Sequence, residues 1–316
     1  MTAGTRMAVI GLAAFGAVAV IATLAVPVFA RRWATGSAAL RARRLATLRL
    51  LPTVVALAAS TVVWAAFLLF EPRWEGEDIG VLTPALAALA TALLGGAAGR
   101  SALLVLSTQR TFRSWLRTAE PVSLQGISAP AFAVSADFPI VAVIGLRRPR
   151  LIIARSVLAS CTDEELQAVL AHEQGHIDRR DNLRRLLLSV APDILTWLPH
   201  SERLFAAWRD AAEEAADDDA ARSGVDGRLR LASALIKVAR LTPGAPSPRL
   251  MPASALYRGE SLDRRVRRLL EPGDTAAMPI SSPWPVRAAA GVVALVAVSA
   301  LQDVHHLVEQ LIHILP

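Results

Sequence analysis

The stretch Thr162-Asp163-Glu164-Glu165-Leu166-Gln167-Ala168-Val169-Leu170-Ala171-His172-Glu173-Gln174-Gly175-His176 opens a helix and shows which way that helix faces. Thr162 followed by Glu165 is a capping box, and Asp163 and Glu164 lie on the positive end of the helix dipole. Leu166, Val169 and Leu170 mark the apolar face, and the pattern predicts helix to about Arg179. Upstream, Ala131–Val134, Ile140–Ile144 and Leu151–Ile153 read as strands, with Gly145 and Pro149 placed to turn the last two into a hairpin. Downstream helical patterns cover about 182–198, 201–222, 227–241 and 261–271, broken by Pro192, Pro199 and a proline-rich loop over 243–252. Residues 108–285 therefore form one α+β domain, long enough for a single core.

The rest of the chain has a different composition. Of the 316 residues, 53% are hydrophobic and only 19% charged, too apolar for an ordinary soluble enzyme. The excess collects in long runs, which predict three membrane-spanning helices within 1–107, at about 7–30, 50–70 and 81–106. A fourth, shorter run, Ala288–Gln302, lies within 286–316 and ends in an amphipathic tail. Met7–Ala30 reads as an uncleaved anchor, because its apolar core exceeds the roughly 7–15 residues of a signal peptide and Arg31 and Arg32 follow it. The loop after the first span carries Arg41, Arg43, Arg44 and Arg49 and no acid. The next loop carries Glu71, Glu75, Glu77 and Asp78 against Arg73 alone. Basic short loops stay in the cytoplasm, so the N-terminus is expected outside and the 108–285 domain inside. Topology thus accounts for much of the +7 formal charge, and no direct nucleic-acid partner is expected. One cysteine, Cys161, excludes an intramolecular disulfide framework. Ala87, Thr91, Gly95 and Gly99 repeat at four-residue spacing and predict a face for close helix packing.

The capped helix holds His172-Glu173-Gln174-Gly175-His176, an H-E-x-x-H motif. Two histidines one turn apart on one face can both reach a single Zn²⁺, and Glu173 is angled to take a proton from a water that the metal acidifies. A catalytic zinc needs a third protein ligand and one open position. Candidates lie in Asp210-Ala211-Ala212-Glu213-Glu214-Ala215-Ala216-Asp217-Asp218-Asp219. Glu213 as ligand with Asp217 orienting a histidine is one register, and Glu214 with Asp218 satisfies the same spacing. Glu214, Asp218 and Asp219 read rather as a solvated helix face, as do Arg264, Arg265, Arg267 and Arg268 on the last helix. His200 reads as structural, and His305, His306 and His313 lack the spacing for a shared metal.

These residues resemble the membrane-bound antirepressor metallopeptidases, the sensor-transducers of β-lactam resistance. The resemblance rests on His172–Asn182, where Arg179-Arg180-Asp181-Asn182 follows the H-E-x-x-H motif. It extends to Val141–Ala154, Trp197-Leu198-Pro199, Glu213 with Ala216-Asp217, and Arg264–Leu270. It implies a multi-pass α-helical membrane protein of the bacterial plasma membrane with an inserted α+β zincin-like (H-E-x-x-H) cytoplasmic metallopeptidase domain. It also implies one catalytic Zn²⁺ on His172, His176 and Glu213, with Glu173 as catalytic base and Asp217 behind a histidine. The partners it implies are membrane lipid and a protein substrate such as a DNA-binding repressor. After the last apolar run only about a dozen residues remain, so the family's penicillin-binding sensor domain is expected to be missing. Two other readings share some of these features: a quality-control or prenyl-protein-processing membrane peptidase, and a non-enzymatic zinc-containing signalling subunit. Val141–Ile144 or Leu151–Ala154 could offer an exposed strand edge to an extended substrate, with an ordinary core strand as the equal alternative.

Overall fold

The computed structural model describes residues 3–33, 36–70, 81–136, 138–192, 199–223, 225–241 and 259–271. The fourth apolar run, the tail histidines and the 243–252 loop lie outside the described residues, as does Trp197.

Three long helices come first: α1 (Ala3–Trp33), α2 (Ala38–Phe70) and α3 (Leu82–Leu116). All three are long and apolar enough to cross a membrane. The basic stretch after α1, expected as a loop, is instead the first turns of α2. Alanine, leucine and arginine are good helix formers, and Ala42, Leu45, Ala46 and Leu48 find an apolar partner to cover them. Likewise α3 runs unbroken past residue 107 to Leu116. Pro52 lies inside α2, where the apolar stretch begins, and removes one rung of its hydrogen-bond ladder.

Helix α1 packs on both α2 and α3 around Phe15, Ala19, Ala56 and Ala90. The small-residue face expected on α3 is not the one used. Ala87 is buried, but Thr91, Gly95 and Gly99 are exposed, and α3 buries Ala90, Leu93 and Ala97 instead. The close approach falls on α1, where a Cβ on Gly16 would stand 2.5 Å from the Leu86 carbonyl oxygen. Ser60 Oγ also donates to the Gly11 carbonyl at 2.8 Å.

The domain's sheet contains β1 (Glu120–Val122), β2 (Ala131–Val134), β3 (Val141–Ile144) and β4 (Arg150–Ala154), in the order β1-β2-β4-β3. β3 and β4 form the antiparallel hairpin, while β4 runs parallel to β2 and β1 antiparallel to β2. The hairpin needs Gly145, which has φ +109° and whose Cβ would stand 2.6 Å from the Arg148 carbonyl oxygen. β3 is an edge strand, whereas β4 lies between β2 and β3. All of β3 is buried, with no residue above 4% exposure, so no open strand edge is presented there. A strand made wholly of apolar residues is covered on both faces, as its lack of alternation implies.

After the short α4 (Arg155–Ser160) come α5 (Asp163–Asp178), α6 (Asp181–Val190), α7 (Pro199–Ala220), α8 (Val225–Arg240) and α9 (Gly259–Leu270). The capping box is formed: Thr162 N–H donates to Glu165 Oε2 at 2.8 Å and Glu165 N–H to Thr162 Oγ1 at 3.3 Å. Glu165 also accepts from Ser233 Oγ at 2.6 Å and Lys237 Nζ at 2.7 Å, which ties the start of α5 to α8. One core joins β2–β4 to α5 and α8 through Ile152, Ile153, Val169, Leu231 and Leu235. A second joins the basic turns of α2 to α7 through Leu45, Leu48, Leu204, Trp208 and Ala212.

Because Glu165 serves both the cap and α8, Glu165→Ala should cost more stability than Thr162→Ala. About 2–3 kcal/mol against about 1 kcal/mol is expected in thermal unfolding of the detergent-solubilised protein. Equal losses would mean that the α8 contacts add nothing.

Candidate metal centre

The H-E-x-x-H motif lies in the last turns of α5 with His172, Glu173 and His176 all buried. Nε2 of His172 and Nε2 of His176 are 3.3 Å apart. Glu213, from the middle of α7, brings Oε2 to 3.6 Å from His172 Nε2 and Oε1 to 3.7 Å from His176 Nε2. Four ligands tetrahedrally placed at about 2.0–2.1 Å from a zinc ion stand about 3.3–3.4 Å from one another. The two histidine nitrogens have that spacing, and one ligand atom from each of His172, His176 and Glu213 lies within 4.8 Å of the others, the one such group among the described residues. Glu214 points the other way, to Arg41 of α2 and to Arg268.

Each histidine is held from behind through its other ring nitrogen. His172 Nδ1 is 3.0 Å from Asp217 Oδ1, one turn after Glu213 on α7. His176 Nδ1 is 2.8 Å from Asp181 Oδ2, in the Arg-Arg-Asp-Asn segment. That segment has a local logic. Arg180 takes a left-handed conformation (φ 53°), which ends α5 and starts α6 so that Asp181 turns back beneath His176. Asn182 then donates to the Val143 carbonyl at 2.8 Å and pins β3. Arg179 pairs with Asp219 of α7. Gly175 makes room for that pair, since a Cβ there would stand 2.6 Å from Asp219 Oδ2.

Asp217 is fully buried, and the guanidinium of Arg265 on α9 grips both its oxygens. Nε donates to Oδ2 at 2.9 Å and Nη2 to Oδ1 at 2.6 Å. Arg265 Nη1 also lies 3.2 Å from Glu213 Oε2. Neither Arg265 nor the role of Asp181 follows from spacing alone, but a signal for Arg265 exists. It lies on the same helix face as Leu262, Val266 and Leu269, the apolar side of α9. The expected solvated faces are therefore corrected. Arg264 pairs with Asp210 and Arg268 with Asp218, so α9 and α7 meet through opposite charges. Among those acids and arginines, only Arg267 faces outward to a neighbour on its own helix, Asp263. The side chain of His200 lies outside the described residues.

Burial dominates the electrostatics. It raises the Glu173 carboxyl above its ordinary range, against the pull of the two histidines. Both Glu173 oxygens are buried, and the backbone of Val143 on β3 also favours the charged form. Burial also opposes charge on Asp217 and Glu213, but Arg265 and His172 outweigh it and hold both carboxyls below their usual range. For His172, burial favours the neutral ring, yet Asp217 and Glu213 override it and raise the ring to about 9.

Three apolar helices joined to a domain with this donor triangle make a membrane protein of the metallopeptidase class. Residues 128–269 match the family model described as BlaR1 peptidase M56, so this segment is similar to that family's peptidase domain. The matched segment runs from the entry to β2 through α9 and contains every residue of the centre. No curated protein matches the chain.

In chelator-treated protein, the raised His172 adds stability that is complete below the unfolded-state value of about 6.5 and is lost as pH rises through about 9. A metal takes the neutral ring, so ion uptake should release a proton, and affinity should rise about tenfold per pH unit up to about pH 9. Calorimetric titration in buffers of different ionisation enthalpy measures both. A flat affinity across that window would mean that His172 carries no extra proton.

Proposed function

We propose that the chain is an integral-membrane zinc endopeptidase that cleaves a cytoplasmic protein, such as a DNA-binding repressor, in answer to a change at its membrane helices. The observation that carries this reading is Glu173: a fully buried carboxylate next to His172 on α5, beside the donor group of His172, His176 and Glu213. A structural metal site has no use for such a group. His172, His176 and Glu213 would hold the zinc, with Asp217 and Asp181 fixing the tautomer and angle of the two rings. A zinc ion held by these residues would supply Lewis acidity for a water and for the carbonyl to be cut. Glu173, its affinity for protons raised by burial, takes the proton from that water and delivers it to the departing amine.

The regulatory part of the proposal rests on α2. One continuous helix contains a membrane-length apolar stretch and the basic turns that pack on α7. Arg41 grips Glu214, the neighbour of Glu213, so a shift of α2 reaches the centre through one peptide unit. The basic composition of those turns supports a cytoplasmic side for the 108–285 domain.

The test is zinc content and cleavage of casein or a repressor peptide by the full chain in detergent, beside Glu173→Ala and Glu213→Ala. Glu173→Ala should keep its zinc and lose cleavage by a factor of about 10² or more. Glu213→Ala should lose both. A wild type that binds one zinc and cuts nothing the variants do not cut would overturn the peptidase reading in favour of a signalling subunit.

A further inference from the structure

We propose that Arg265 is a positioning residue of the metal centre, clamping Asp217 and Glu213 so that donors from two separate helices keep one geometry. The inference rests on the metal-site reading above and adds a residue that it does not use. Arg265 is 4% exposed and reaches the centre from α9, the last described helix. Its three nitrogens are divided between two carboxylates: Nε and Nη2 take both oxygens of Asp217 at 2.9 and 2.6 Å, and Nη1 lies 3.2 Å from Glu213 Oε2. Asp217 in turn holds His172 at 3.0 Å. One planar fork therefore sets the angle of a histidine on α5 and a glutamate on α7. A lysine, with a single point of charge, cannot reproduce that geometry.

Docking of α9 does not require this arginine. Arg264 bonds Asp210 at 2.8 Å, Arg268 bonds Asp218 at 2.6 Å and the Glu214 carbonyl at 3.3 Å, and Leu269 is buried in the core. The flanking arginines attach the helix; Arg265 alone among them touches the residues of the centre. Four carboxylates, Glu173, Asp181, Glu213 and Asp217, surround the two histidines. Arg265 is the cation that faces the two on α7, so it also limits how far those acids swing apart or toward a second cation.

The experiment uses the full chain in detergent with Arg265→Lys and Arg265→Gln, and with Arg264→Ala and Arg268→Ala as controls on α9 docking. The measurements are Zn²⁺ affinity by chelator competition, the visible absorption spectrum of the Co²⁺-loaded protein, and thermal unfolding. Arg265→Lys should weaken Zn²⁺ binding about 10- to 100-fold and alter the Co²⁺ bands, whereas the controls leave both within about twofold of wild type. In an Asp217→Asn background, adding Arg265→Lys should change Zn²⁺ affinity no further, because the clamp has lost its charged target. The proposal falls if both Arg265 variants match wild type in affinity and spectrum. It also falls if the controls lose as much as Arg265→Lys, or if the double variant shows additive losses. A wild-type protein that binds no Zn²⁺ would instead remove the metal-site reading itself, and the positioning role with it.

Discussion

Asp217 is a carboxylate with no access to water, in a helix wall made mostly of alanine. A charge in that position is tolerated only when its oxygens are fully occupied. Both are: Arg265 from α9 bonds the two oxygens, and His172 from α5 shares Oδ1. The three helices cannot slide past one another without leaving an unpaired buried charge. The donor triangle is a consequence of that lock, because Glu213 lies one turn before Asp217 on α7 and His176 one turn after His172 on α5.

Helix α7 has two working sides. One carries Glu213 and Asp217 to the histidines. The other carries Leu204, Trp208 and Ala212 to the basic turns of α2, with Glu214 gripping Arg41. A helix that enters the apolar stretch of the chain thus shares a wall with the metal centre, without a flexible loop between them. Burial of apolar side chains supplies the affinity of that contact, and the ion pair sets its register. The arrangement gives a physical route between membrane and site, and the same route explains why the basic stretch is helical.

Where the sequence read well, the signals were local. A cap, a four-residue histidine spacing, a glycine between two strands and an apolar run of membrane length each depend on residues within a turn or two of one another. Asp181 shows the limit of this: it stands in a recognisable segment, yet its role depends on the left-handed turn at Arg180 that brings it back under His176. The readings that failed concerned surfaces. The acids of α7 and the arginines of α9 each look like a solvated face when read alone, and they cover each other in the fold. The small-residue stripe on α3 lost to close approaches at Gly11 and Gly16 of α1, because the rotation of a helix about its axis is chosen by its partners.

The sequence by itself determined the helix that carries the two histidines and Glu173, the hairpin before it and the three apolar helices, since short-range spacing and capping chemistry are written in adjacent residues. It also narrowed the third donor to an acid on α7, but Glu213 with Asp217 and Glu214 with Asp218 have equal spacing. The resemblance favours Glu213, and the packing of α7 between α5 and α2 supplies the physical reason, turning Glu213 to the histidines and Glu214 to Arg41. Arg265 likewise became part of the centre only when α9 docked, because a contact across 48 residues of chain is set by which faces bury together and not by any spacing along the chain.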